Sequence, residues 1–367
     1  MPEADKLRIV IAGGGTGGHL YPGIALAQEF ETKWQAKIMF IGTSYGIENK
    51  VLPAYPYKFK KIWMRGLHRK LSVANLLFPV RLLVSIAQCA LIFTIFRPNV
   101  IIGTGGYVSG PALMAGLLFG VPTIIQEQNS YPGLVNRLLG RRVKQVHVTF
   151  DDSRPYFRGQ KEIHLSGNPV RGAFATVQKQ AGLKKFGLRE NRTTLFVFGG
   201  SQGARAINSA VLENLERLLA HDDLQVLWAT GESDFEHIKT RCEMLGDRVR
   251  VLPFIDDMAS AYAAADLVLC RAGASTLSEI AVCGLPAILI PYPFAAAGHQ
   301  EFNARSIEKA GAAAVLLEKN LTGENLVAAI SELLEDAQKR RSMAAAALVI
   351  ARPKATQEIA AKIMGII

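Results

Sequence analysis

The sequence predicts an α/β protein built from two doubly wound parallel sheets whose crevices face one another. Three observations carry this. An apolar run at 7–12 ends in Gly13-Gly-Gly-Thr-Gly-Gly-His19 and then Pro22, so a buried strand feeds a glycine loop and a helix. The same device returns three more times, at 103–111, 199–204 and 271–279. The order strand, glycine loop, helix, Gly-x-Pro, strand runs through 99–125 and again through 267–290, which reads as an internal duplication.

Taken in order, Pro22 sets up a first helix whose apolar positions Ile24, Leu26, Ala27 and Phe30 carry the chain back over the sheet. A second strand at 38–41 ends in Gly42-Thr43-Ser44, and a basic, aromatic segment follows. The apolar stretch 76–96 holds only 15 residues between Arg81 and Arg97, short for a membrane span of about 20. Its deeper part reads as a core helix and its start, at Leu76, Leu77 and Phe78, as an interfacial anchor. Strands at 99–102, 123–125 and 145–148 complete the first half, and Gly167-Asn-Pro is turn punctuation. Two domains follow, 1–167 and 168–351, with the tail 352–367 returning to the first. In the second half strands are expected at 193–198, 225–229, 249–252, 267–270 and 287–290, and helices at 207–219 and 259–265. The tail is helical and broken at Pro353.

With 367 residues, 49% apolar content and 33 glycines, the chain is globular and large enough for two cores. Its four scattered cysteines form no C-x-x-C pair and read as reduced thiols of a cytosolic protein. The charged N-terminus runs straight into the first strand, with no cleavable signal. The net charge of +11 is lopsided: residues 1–168 hold 20 Lys+Arg against 9 Asp+Glu, and the rest, 42 − 20 = 22 against 31 − 9 = 22. Residues 49–126 contain nine basic side chains and no acidic one, which points to an anionic partner on that half. The segment 58–78 suits an anionic membrane surface, because no nucleic-acid motif accompanies the charge.

The first glycine loop fits G-x-G-x-x-G at Gly13, Gly15 and Gly18, but the acidic residue that a dinucleotide ribose needs at the end of the second strand is missing. A phosphate-cradling P-loop would carry Lys where His19 stands. A nicotinamide oxidoreductase, a tight turn without ligand and a sugar-nucleotide site remain open at this point. Glycines and a helix start favour an anion or sugar, and strand ends place Glu127 and Asn129 towards a polar substrate. In the second half, a helix start at 271–279 offers free N–H groups to a diphosphate, and Glu279 can accept both hydroxyls of a ribose. The competing reading is that Ser275 and Glu279 merely form a capping box.

Gly14-Gly-Thr-Gly-Gly-His19, Gly105-Gly-Tyr-Val-Ser-Gly-Pro111, Glu127-Gln-Asn129, Gly167-Asn-Pro-Val-Arg171, Gly199-Gly-Ser-Gln-Gly-Ala-Arg205 and Cys270-Arg-x-Gly-Ala-x-Thr-x-Ser-Glu279 together resemble the MurG family of bacterial peptidoglycan glycosyltransferases. The motifs stand in family order. The resemblance implies the GT-B fold, with two Rossmann-like domains and the active site between them. It also implies an inverting transfer of N-acetylglucosamine (GlcNAc) from UDP-GlcNAc to the muramyl 4-hydroxyl of lipid I, with no metal and no cofactor. Further, it implies a peripheral position on the cytoplasmic face of the bacterial plasma membrane, and partners among cell-wall synthesis and division proteins.

By that resemblance, His19 is the first candidate for base and Glu127 its rival. The donor would meet Thr16, Gly17, Gly18, Asn129, Arg171, Ser201, Phe254, Ile255, Ala274, Ser275, Thr276, Leu277, Ser278, Glu279 and Gln300. The acceptor would rest on Gly15, Gly105, Gly106 and Tyr107, with Thr16, Gly17 and Gly18 completing the floor under its pyrophosphate. A related transferase or epimerase with a soluble acceptor is the alternative, and the acid-free basic stretch argues against it.

Overall fold

The structure, a computed structural model, describes residues 6–66, 76–170, 174, 176–200 and 202–367. The chain divides between Val170 and Arg171 and again between Arg352 and Pro353, so that 353–367 belongs with the first unit.

In the first unit β1 (Arg8–Gly13), β2 (Lys37–Gly42), β3 (Lys58–Lys61), β4 (Val100–Gly105), β5 (Thr123–Glu127), β6 (Gln145–Val148) and β7 (Ile163–Leu165) form one sheet. Its order is β3-β2-β1-β4-β5-β6-β7, with every pair parallel. Helices cover both faces, so β1 is apolar from Ile9 to Ala12. Ile9 and Ile11 pack towards helix Gly17–Trp34 and the C-terminal helix Ala355–Met364 through Ile359 and Ile363. Val10 and Ala12 face helices Phe78–Phe96 and Ser109–Leu118.

The second unit repeats the plan with β8 (Thr193–Phe198), β9 (Leu224–Ala229), β10 (Val249–Leu252), β11 (Leu267–Cys270), β12 (Ala287–Leu289) and β13 (Ala313–Val315). Their order is β10-β9-β8-β11-β12-β13, again all parallel. Strand order reverses between β1 and β4 and between β8 and β11. At such a switch point the two flanking loops diverge and open a crevice at the carboxyl ends of the strands.

Several local expectations are corrected. The first helix starts at Gly17, five residues before Pro22, which lies inside it. The proline ring crowds the carbonyl four residues back, and that residue is Gly18. The 207–219 helix is two helices, Arg205–Glu213 and Leu215–Leu218, parted at Asn214, whose Nδ2 donates back to Ala210 O at 2.9 Å. The apolar stretch 76–96 reaches the core by one stripe only, Ser85, Cys89 and Phe93, while Leu83, Leu91 and Ile95 are 65–78% exposed. Helix Phe78–Phe96, 19 residues with a mean hydropathy of 1.9, is long and apolar enough to cross a membrane by length and composition.

One buried group gives the first unit a pH dependence. His147 on β6 is wholly buried, with Nδ1 2.9 Å from Ser166 Oγ and Nε2 3.3 Å from Gln145 Oε1. Burial, then the charges of His164 and Lys362, push its pKa down from 6.5 to about 3. The unfolded chain therefore binds the extra proton first, and stability falls as pH drops from 6.5 towards 3. At 1.36 kcal/mol per pH unit, about 2 kcal/mol should be lost between pH 6.5 and 5. Urea unfolding at the two pH values measures it, and His147→Gln should flatten the difference.

Candidate active site

Thr16 is the extended N-cap of helix Gly17–Trp34, its side chain makes no cap bond, and the first turn holds no acidic residue. The N–H groups of Gly17 and Gly18 thus have no intrahelical partner and carry the positive end of the helix dipole. His19 stands in this first turn. Its Nδ1 is 3.1 Å from Thr16 Oγ1 and 3.3 Å from Gly14 O. A carbonyl can only accept, so the proton sits on Nδ1 and Nε2 is the basic nitrogen.

The second loop closes over the ring. Gly105 and Gly106 adopt φ +106° and +78°, and a Cβ on Gly105 would stand 2.6 Å from His19 Cδ2. Only glycine allows that approach. Tyr107 is half-exposed, and its ring lies against Gly66, where a Cβ would meet it at 2.6 Å. The Gly15 N–H donates to Glu48 Oε2 at 2.8 Å, so that donor is turned onto the protein.

Glu127 is buried and both its oxygens are occupied. Oε1 accepts from Asn129 N at 2.9 Å and Asn129 Nδ2 at 3.3 Å, and Oε2 from Gly133 N at 3.0 Å and Asn136 Nδ2 at 2.8 Å. Burial raises its pKa and the four donors pull the other way, burial being the larger effect. This geometry makes Glu127 the organiser of the Asn129 loop rather than a group open to substrate. Next to it, Gln128 donates through Nε2 to Thr104 O at 2.7 Å and to Gln126 O at 3.1 Å, so the ends of β4 and β5 are tied by buried amides.

In the second unit helix Ala274–Cys283 starts after N-cap Gly273 with no side-chain cap bond. The capping box of Ser275 and Glu279 is therefore not formed, and Ala274, Ser275 and Thr276 present the helix start. Leu277 is 2% exposed and belongs to the core, its N–H bonded to Gly273 O at 3.0 Å, and Ser278 Oγ donates to Ala274 O at 2.9 Å. Glu279 accepts at Oε2 from Tyr262 OH at 2.9 Å. Burial pushes the Tyr262 phenol well above its usual value, so it remains a donor.

Arg271 ties neighbouring loops together. It donates to Ile290 O and Pro291 O at 3.1 and 3.3 Å, pairs with Glu318 at 2.5 Å and lies over Tyr292. Gln300, in the first turn of helix His299–Lys309, accepts at Oε1 from Tyr292 N at 3.0 Å. Its Nε2 then remains to donate. Phe254 is half-exposed and Ile255 buried, both just past β10. Asp257 caps helix Met258–Ala264 and pairs with Lys185, whose ammonium, with Ser260, holds its carboxyl down to about 2. Arg171 and Ser201 lie outside the described residues.

Glu48, Tyr262 and Arg271 are the contributors that motif reading did not assign a role. Glu48 had a signal: it is the only acidic residue between Glu31 and Glu127, set among glycines after the second strand.

Residues 9–148 match the glycosyltransferase family 28 N-terminal domain, and residues 194–362 its C-terminal domain. The chain is 43% identical over 359 residues to the UDP-N-acetylglucosamine–N-acetylmuramyl-(pentapeptide) pyrophosphoryl-undecaprenol N-acetylglucosamine transferase of Desulfitobacterium hafniense strain Y51, covering 96% of this chain and 97% of that protein. A Thermoanaerobacter sp. strain X514 protein of the same name is 42% identical, over 96% and 98%. Among solved structures, MurG of Acinetobacter baumannii superposes with a TM-score of 0.80 at 28% identity, covering 98% of this chain and 99% of that one. With both domains matched and nearly full-length relatives above 40% identity, the chain belongs to glycosyltransferase family 28 and, within it, to the MurG family.

Proposed function

We propose that this chain is an inverting hexosyltransferase that moves GlcNAc from UDP-GlcNAc to the muramyl 4-hydroxyl of lipid I, giving lipid II for peptidoglycan. The observation that carries the reading is the 43% identity over nearly the whole of a curated transferase of that name. The loops described above are consistent with it. His19 Nε2 takes the proton of the acceptor hydroxyl as that oxygen attacks the anomeric carbon and UDP departs on the opposite face. The start of helix Ala274–Cys283 holds the donor diphosphate, Glu279 the ribose, Phe254 and Ile255 the base, and Gln300 and Asn129 the sugar. Gly17 and Gly18, with Gly105, Gly106 and Tyr107, receive the acceptor pyrophosphate. Arg171 and Ser201 contribute to the donor phosphates.

The test is transfer of radiolabelled GlcNAc from UDP-GlcNAc to a short-chain lipid I analogue with EDTA present. Label in the lipid supports the reading. Binding or hydrolysis of UDP-GlcNAc with no labelled lipid would leave a sugar-nucleotide enzyme with another acceptor.

The lipid acceptor calls for a peripheral place on the cytoplasmic membrane face. Leu83, Leu91 and Ile95 form an exposed stripe opposite the buried one, and Leu118 and Phe119 at the end of the next helix are exposed as well. Lys58, Lys60, Arg65 and Arg81 lie on the same acid-free stretch. An apolar stripe with basic neighbours suits insertion into an anionic interface. Leu83→Glu with Leu91→Glu should abolish flotation with anionic vesicles, while transfer to a water-soluble acceptor stays within about twofold, since neither residue touches the loops.

A further inference from the structure

We propose that Glu48 is a positioning residue for transfer: a carboxylate clamp, itself out of reach of substrate, that sets the shape of the His19 loop. The inference rests on the acceptor role given above to that loop.

Glu48 is 0% exposed. Its Oε2 accepts from Gly15 N at 2.8 Å, and its Oε1 accepts from Thr43 N and Thr43 Oγ1, each at 2.8 Å. One carboxylate thus spans two chain segments, the turn after β2 and the loop after β1. A buried carboxylate is costly unless such donors meet it, and charge-assisted bonds of this length are the strong kind. The surrounding sequence makes room for it: a Cβ on Gly14, Gly42 or Gly46 would stand 2.5, 2.5 or 2.1 Å from atoms of the Glu48 side chain. Three glycines are thereby explained by one neighbour rather than by ligand approach.

The clamp is placed where it matters for the base. It fixes Gly15 at φ +83°, between Gly14, whose carbonyl sets the His19 tautomer, and Thr16, which caps the helix carrying His19. In a dinucleotide fold an acid near the end of the second strand holds the ribose. Here the acid of that region is turned inward onto the loop itself.

Glutamine has the same size but only one acceptor oxygen, so in Glu48→Gln one N–H donor meets another. At saturating donor and acceptor, kcat should fall by about 10- to 100-fold, the scale of a charged hydrogen bond lost at a site that must be held in register. UDP affinity, measured by calorimetry on the same preparation, should stay within twofold. Gly46→Ala pushes on the carboxylate from the far side and should lower kcat likewise, and the double variant should be no worse than Glu48→Gln alone, because both act through one contact.

Unchanged kcat in Glu48→Gln overturns the clamp alone, as does a loss that scales with the unfolded fraction or equally weakens UDP binding. If the unaltered protein fails to label the lipid analogue, the functional reading falls and the clamp falls with it.

Discussion

Replacing His19 by Gln should lower kcat for GlcNAc transfer by about 10²- to 10⁴-fold, the range over which a positioned general base contributes. The size of the effect follows from the geometry. Gly14 O fixes the proton on Nδ1, and Gly105 and Gly106 confine the ring, so the imidazole is held in one tautomer and one orientation. Glutamine keeps a polar side chain in the helix's first turn and cannot take a proton. The KM for UDP-GlcNAc should change little, since the donor contacts assigned here fall mostly on the second unit. The acidic limb of the kcat/KM profile should vanish in the variant if His19 is the group that must be unprotonated. A loss below tenfold with the acidic limb intact would move the base elsewhere, and Glu127→Gln would be the next variant. The four donors on Glu127 predict for it a loss accompanied by reduced stability, because two N–H groups would then face an amide.

What the sequence could and could not reveal follows from where its information is local. Interior strands such as β6, β8 and β11 are legible to the residue, for a short apolar run between turn signals has few other readings. The three strands that went unread, β3, β7 and β13, are all sheet edges. Edge strands are short, β7 and β13 holding three residues each, and β3 carries Lys58, Lys60 and Lys61, which blunt pairing with another chain while hiding the strand pattern. The glycine loops were legible because a tight turn at a strand end demands glycine. Their supports were not. Glu48 reaches back 33 residues to Gly15, and Tyr262 forward 17 residues to Glu279. Neither spacing has a local signature, since each contact exists only once parallel strands lie side by side. The helix Phe78–Phe96 shows the converse: its composition is plain, but which side is buried depends on a narrow stripe at i, i+4 and i+8, Ser85, Cys89 and Phe93. Two of those three are small, so hydrophobicity alone points to the wrong face.

Glu279→Ala should raise the KM for UDP-GlcNAc by about 10- to 100-fold, the worth of one or two hydrogen bonds to a charged acceptor, with a smaller effect on kcat. The carboxylate is held from behind: Tyr262 OH donates to Oε2 at 2.9 Å, and the tyrosine ring is itself fixed edge-on by Phe174, Phe196 and Phe198. Tyr262→Phe keeps that packing and removes only the hydroxyl. It should therefore raise KM in the same direction but by severalfold only, since Glu279 survives with more rotational freedom. The discriminating measurement is competition by UDP against 2′-deoxy-UDP. The unaltered enzyme should prefer UDP because a carboxylate built to accept two ribose hydroxyls is left undersatisfied when one is missing. Glu279→Ala should bind the two inhibitors equally, and Tyr262→Phe should fall between. Equal preference already in the unaltered enzyme would remove Glu279 from the ribose and leave it as an anchor for Tyr262 within the second unit. The ratio of the two inhibition constants, unlike kcat, is insensitive to partial unfolding, because inactive protein binds neither.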